Sequence, residues 1–377
     1  MSGVAPIPTP TRLAWRPALD GLRGVAVLLV ILVHFGRASW FPGGFVGVDI
    51  FFALSGFLIT TLILQEWDST GTVSLRRFYA RRALRLLPAA CALFAVFLLV
   101  VFVFGDKEFT GRPSAGVALS SVAASLGYVL NWVVALDYPY APALGHVWSL
   151  SIEEQYYLVW PVLLLVLLRR GLPRKTILGI TLGLALASML VPLADPDAGP
   201  TRMYSGTDVR AQALLLGSAL GQLYAGGFVR PTLLGDVRFR LLISVAVAYL
   251  TVFVGVAHSS TALLYFGPLQ LAVVASTILV FATALAEDQW AARVLGGRVL
   301  RYVGRRSYAL YLWQWPLTTW MSGLGDVERF AISVPLTFAA AELSYRLVER
   351  PALRLKGRFS RPERATDPAP DEALRAA

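Results

Sequence analysis

Two residues on the first long apolar stretch, Arg23 and His34, stand eleven positions apart. On a helix turning about 100° per residue they fall within about 20° of one face and about 16 Å apart along its axis. Three carboxylates lie within reach of that pair. Asp49 opens the second apolar stretch, and Glu153 and Glu154 follow His146-Val147-Trp148-Ser149-Leu150-Ser151-Ile152. An imidazole beside a carboxylate is what general-base activation of a hydroxyl requires: the ring takes the proton and the carboxylate fixes its tautomer. Arg23, His34, Asp49 and Glu153 are therefore the catalytic candidates. The readings without chemistry are that Arg23 snorkels to an interface around a packed His34, and that Glu153 and Glu154 are solvated at headgroup level.

A second cluster could bind phosphate. Arg76-Arg77-Phe78-Tyr79-Ala80-Arg81-Arg82-Ala83-Leu84-Arg85 is an arginine-dense turn ahead of Pro88. Guanidinium groups pair bidentately with phosphate oxygens, so Arg77, Arg81, Arg82 and Arg85 are phosphate candidates; the alternative is ordinary topology-setting charge. Arg210 opens a later stretch and either holds a substrate or pairs with Asp208. The aromatic run 308–320 reads as an interfacial belt or, at Tyr311 and Trp313, as a platform for a substrate that Glu154 would also meet. There is no GxxxxGK[ST], no HExxH and no Cys/His cluster, so neither nucleotide hydrolysis nor a metal site is expected.

These residues sit in a chain of 377 residues that is 56% hydrophobic and only 15% charged, with a mean hydropathy of +0.62. Soluble domains carry about 25% charged residues, so a soluble enzyme and a disordered chain are both excluded. A single cysteine rules out an internal disulfide. The net charge of +11 fits basic cytoplasmic loops of a membrane protein; no basic face interleaved with exposed aromatics supports nucleic-acid binding. The fold class is an all-α, polytopic membrane bundle. About ten spans are expected, at 19–35, 45–64, 89–104, 148–168, 177–193, 209–225, 241–256, 268–286, 308–321 and 330–347. The connections around Arg76–Arg85, Arg169–Lys175, Arg230–Arg240 and Arg293–Arg306 should all be cytoplasmic. Three apolar segments separate the first two of these connections where parity requires an even number. The diluted segment 117–136 is therefore expected to be re-entrant or covered by protein. Both termini are then cytoplasmic, with no cleavable signal at the start.

In order along the chain stand Leu19-Asp20-Gly21-Leu22-Arg23-Gly24 with His34, then Gly47-Val48-Asp49-Ile50-Phe51-Phe52-Ala53-Leu54-Ser55-Gly56-Phe57, then Phe78-Tyr79-Ala80-Arg81-Arg82. They are followed by Trp148-Ser149-Leu150-Ser151-Ile152-Glu153-Glu154-Gln155, Ser307-Tyr308-Ala309-Leu310-Tyr311-Leu312-Trp313 and Glu349-Arg350-Pro351. Together these motifs resemble those of the acyltransferase-3 family of integral-membrane O-acyltransferases. The resemblance implies transfer of an acyl group, commonly acetyl, from cytoplasmic acyl-CoA to a hydroxyl of a sugar-containing acceptor. Surface polysaccharide, peptidoglycan, a lipid-linked sugar and a macrolide-type metabolite are all open as that acceptor. On this sequence it makes His34 the base, Arg23 its partner, and Arg81 and Arg82 contacts for CoA phosphates. One departure is Gln314, where many members have a histidine between two tryptophans. The expected organisation is a cytoplasmic segment 1–18, a transmembrane acyltransferase domain 19–351 in the inner (plasma) membrane, and a basic, disordered tail 352–377. No hydrolase-like domain is expected after Pro351. The rival from another class is a transporter or flippase, which would use the same intramembrane charges as a substrate path.

Overall fold

A computed structural model describes residues 13, 15–35, 41–104, 113–228, 231–286 and 290–355. Most of the N-terminal segment, the tail beyond 355 and Arg230 lie outside the described residues. Among the described residues there are helices and turns and no strand. The α-helices are α1 Pro17–Phe35, α2 Val46–Thr70, α3 Leu75–Phe104, α4 Ala115–Leu126, α5 Leu130–Ala135, α6 Trp148–Arg169, α7 Arg174–Ala194 and α8 Pro200–Ser205. They continue with α9 Thr207–Ala225, α10 Val237–Val256, α11 Pro268–Leu285, α12 Trp290–Leu295, α13 Arg298–Arg305, α14 Ser307–Trp320, α15 Asp326–Ser344 and α16 Arg350–Arg354.

A helix stands at each of the ten expected spans. Seven of these helices are long and apolar enough to cross a bilayer. The other three, α9, α14 and α15, carry more polar residues because protein rather than lipid surrounds their polar faces: Gln212, Gln222, Gln314, Ser333 and Thr337 are all buried. Large apolar side chains such as Leu99, Val103, Leu193 and Val252 point outward, as expected where the surrounding solvent is hydrocarbon.

Segment 117–136 divides into α4 and α5, of 12 and 6 residues. Tyr128 between them takes a left-handed φ of 58°. Neither piece approaches the roughly 20 residues a crossing needs. Its polar residue is accounted for by packing: Asn131 is fully buried, its amide donates to Thr207 Oγ1 at 2.8 Å, and its Oδ1 accepts from Gln155 Nε2 at 2.9 Å. The broken segment is thereby tied to α6 and α9.

α2 is the central helix. Small residues let its backbone approach its neighbours, the usual device where no hydrophobic effect drives helices together. A Cβ at Gly56 would lie 1.9 Å from the Leu214 carbonyl oxygen, and one at Gly217 would lie 2.1 Å from that of Ala53, so α2 and α9 touch through their backbones. α13 is seated on α1 in the same way, with Gly304 against the Asp20 carbonyl.

Candidate active site

α1 presents Arg23 and His34 to one helix, α14. Arg23 Nε donates to Ser307 Oγ at 3.4 Å, and His34 Nδ1 lies 2.9 Å from Gln314 Oε1. Ser307 and Gln314 are about two helical turns apart, so both contacts fall on the same side of α14. An amide oxygen can only accept, so His34 Nδ1 carries the proton and Nε2 is left as the basic nitrogen. The His34 ring also meets the edge of Trp315, centroids 4.4 Å apart.

Three cavities lie in series along this face. At the arginine-rich end a cavity of about 300 Å³ is lined by Trp15, Arg16, Arg23, Arg85, Arg305 and Glu349, among others. A narrow cavity of about 70 Å³ follows, sharing Arg23, Arg85, Leu58 and Tyr308 with the first and adding Arg82, Ser55, Ser149, Glu153 and Tyr157. At the other end a cavity of about 710 Å³ is lined by His34, His146, Tyr140, Trp148, Tyr204 and Trp315, among others. Val48 and Tyr311 belong to both the narrow and the large cavity. Arg23 and His34 thus face one passage from opposite sides of a constriction, rather than a single open lumen.

The expected carboxylate partners of His34 are engaged elsewhere. Asp49 pairs with Arg210 through Nη2–Oδ1 at 2.9 Å and Nη2–Oδ2 at 3.0 Å, the two residues being 1% and 0% exposed. The backbone contact of α2 with α9 closes this pair in apolar surroundings, where a lone charge would be costly. Arg210 lies behind the wall of the large cavity, its guanidinium over the rings of Trp148 at 5.5 Å and Tyr204 at 5.4 Å. It therefore neither lines that cavity nor pairs with Asp208, which instead binds Arg202 at 2.6 Å. Glu153 accepts hydrogen bonds from Ser55 Oγ and Tyr157 Oη in the narrow cavity. Glu154, half-buried on the next face of α6, lines none of the three cavities.

The arginine cluster divides by which residues reach a cavity. Arg82 and Arg85, three residues apart, both face the narrow cavity, and Arg82 stacks 4.5 Å from the Tyr157 ring centroid. Arg77 and Arg81 line none of the three cavities, although Arg81 is one turn from Arg85 and nearly in phase with it. The aromatic run divides likewise. Tyr311 and Trp315, one turn apart, line the large cavity, whereas Trp313, about 200° around the helix from Tyr311, packs into the core. Sequence reasoning missed Trp315, and it treated Gln314 as a departure rather than as the partner of His34. The available signal was a polar residue inside an apolar aromatic run; Gln314 is fully buried.

A family model described as an acyltransferase domain matches residues 16–344, which takes in α1 through α15. The chain belongs to the acyltransferase-3 family. Among similar proteins is the peptidoglycan O-acetyltransferase OatA of Listeria monocytogenes, 35% identical over 351 residues that make up 89% of this chain and 55% of that protein. Another is the O-acetyltransferase OatA of Staphylococcus aureus, 33% identical over 362 residues, 90% of this chain and 57% of that protein. The chain thus spans little more than half the length of these relatives. No solved structure matches it.

Proposed function

We propose that the chain is a membrane-bound O-acyltransferase that moves an acetyl group from acetyl-CoA to a hydroxyl of a sugar, of the kind found in peptidoglycan. The observation that carries this reading is the His34–Gln314 contact at the wall of the cavity of about 710 Å³, which leaves an accepting imidazole nitrogen on a helix that also reaches the arginine-lined cavities. The donor enters at the arginine-rich end. Arg16, Arg85 and Arg305 suit its phosphates, and Arg82, Arg23 and the narrow cavity receive its thin pantetheine arm. The spacing of about 16 Å between Arg23 and His34 along α1 is comparable to that arm's reach.

The acceptor occupies the large cavity. Among the described residues its lining includes no Asp, Glu, Lys or Arg, but aromatic rings and hydroxyls, which suits an uncharged sugar with apolar ring faces. Its volume of about 710 Å³ lies within the range of about 300–1,000 Å³ usual for small-molecule sites. His34 Nε2 takes the hydroxyl proton as the sugar oxygen attacks the thioester carbon. The tetrahedral intermediate collapses with loss of the thiolate, which recovers the proton from His34. The basic connections put the arginine-rich end in the cytoplasm, with both termini there and the large cavity open to the far side of the cell membrane. Residues 19–351 form the catalytic membrane domain, between the cytoplasmic segments 1–18 and 352–377.

The test uses purified protein in detergent, acetyl-CoA labelled on the acetyl group, and a soluble N-acetylglucosamine tetramer. Labelled sugar ester and free CoA should appear together. Intact acetyl-CoA throughout, with CoA or sugar merely bound, would favour a transporter.

A further inference from the structure

His146 enters neither the family motifs used above nor the proposed proton transfer, yet it is the most anomalous polar group at the site. It stands in the turn Pro142–Val147 that leads into α6. The residue is 4% exposed, lines the large cavity, and neither of its ring nitrogens has a hydrogen-bond partner among the described residues. Buried polar atoms are nearly always paired, and an exception calls for an explanation. Disorder does not supply one, because the residue is held on several sides. Its carbonyl lies 2.9 Å from Tyr311 Oη and 3.3 Å from Ser149 Oγ. Those two hydroxyls also lie 2.5 Å apart, so one donates to the carbonyl while the other donates to it in turn. Its ring packs on Tyr311, centroids 5.5 Å apart. Trp315 Nε1 donates to the carbonyl of Pro142 at 2.7 Å, pinning the start of the same turn to α14. The imidazole is thus rigidly placed, facing the Leu312 backbone without a full hydrogen bond at either ring nitrogen.

Its place relative to His34 says what it is held for. The His34 ring rests on Trp315 and the His146 ring on Tyr311; these aromatics are one turn apart on the same side of α14, about 6 Å along its axis. His146 therefore sits a turn closer to the constriction at Val48 and Tyr311 than His34 does, on the donor's side of the base. A thioester carbonyl brought through that constriction to meet a hydroxyl on His34 would place its oxygen beside His146.

We infer that His146 is the oxyanion donor of the transfer step. This rests on the acyltransferase reading. As the sugar oxygen bonds to the thioester carbon and its proton passes to His34 Nε2, the carbonyl electron pair moves onto oxygen. An N–H of His146 bonds that oxygen, and the bond is released when the carbonyl re-forms and the carbon–sulfur bond breaks. An imidazole always has at least one N–H to give, and a donor held in place before charge develops contributes more than one that must be ordered during the reaction.

The test compares wild type with His146→Phe, His146→Leu and His146→Gln in the tetramer assay, with thermal stability and the KM for acetyl-CoA measured alongside. Loss of a preorganised oxyanion donor typically lowers kcat about 100- to 1,000-fold. His146→Phe and His146→Leu should show that fall, with the KM for acetyl-CoA within about threefold of wild type and a Tm that does not drop. His146→Gln, whose amide keeps an N–H, should recover at least tenfold over His146→Leu. Transfer within threefold of wild type in either apolar variant overturns the inference. So does failure of both to fold, because a ring that makes no full hydrogen bond to the protein should be replaceable. An inactive wild type would overturn the acyltransferase reading itself, whereas active apolar variants beside an active wild type overturn only the role of His146.

Discussion

At the scale of single residues the account turns on which atoms remain available once internal contacts are made. His34 spends Nδ1 on Gln314 and keeps Nε2; Asp49 and Glu153, the acids expected to orient it, are committed to Arg210 and to Ser55 and Tyr157. Gln314→Leu removes the acceptor that fixes the tautomer and should lower kcat roughly tenfold to a hundredfold, whereas Gln314→Glu, which keeps an accepting oxygen, should stay near wild type. Steady-state rates with the tetramer check both. The two tryptophans that flank Gln314 make a second contrast. Trp315→Ala should raise the KM for the sugar roughly tenfold and leave that for acetyl-CoA unchanged, because it lines only the large cavity. Trp313→Ala should act mainly on stability, since Trp313 packs in the core. The sequence placed Arg23 and His34 on one face correctly, because helical phase along a single apolar run is a local property. The link from His34 to a residue 280 positions away is a long-range contact, and no local pattern announces it.

At the scale of helices, which arginines of α3 line a cavity separates those expected to meet the donor from the rest. Arg82→Ala and Arg85→Ala should each raise the KM for acetyl-CoA by about tenfold or more, as expected for loss of a charged hydrogen bond. Arg77→Ala and Arg81→Ala should leave it within about twofold, because neither lines a cavity. The pairing of α2 with α9 makes a prediction about stability. Breaking the Asp49–Arg210 pair on one side should cost about 3–5 kcal/mol, whereas replacing both partners with apolar residues of similar volume should return most of it. Thermal unfolding of Asp49→Leu, Arg210→Met and the double variant measures this. An additive loss in the double variant would show that the two residues act separately. The ten helices could be located from apolar runs, and the polar dilution of 117–136 marked a segment that breaks into two short helices. Assigning Arg210 to a substrate failed because the two charges enter from different helices, and only the backbone contact at Gly56 and Gly217 shows that they must meet.

At the scale of the whole molecule the architecture is a two-ended passage: an arginine-lined mouth at one end, an aromatic chamber with no charged side chain among the described residues at the other, and a constriction at Val48 and Tyr311 between them. Val48→Phe should fill that constriction and abolish transfer while acetyl-CoA still binds, which equilibrium binding of labelled donor would show. The bundle's class was legible in composition alone, and so was the basic end, since both follow from counts and local runs, whereas the charges expected beside His34 are engaged elsewhere. The constriction was not, because it is made by α2 and α14, two helices far apart in the chain. The most direct measurement reconstitutes the protein in one orientation in sealed vesicles, with labelled acetyl-CoA, which does not cross bilayers, on one side and the N-acetylglucosamine tetramer on the other. Labelled tetramer should form only when acetyl-CoA faces the arginine-rich end and the sugar faces the His34 end. Equal yield with both substrates confined to the arginine-rich side would contradict transfer through the passage.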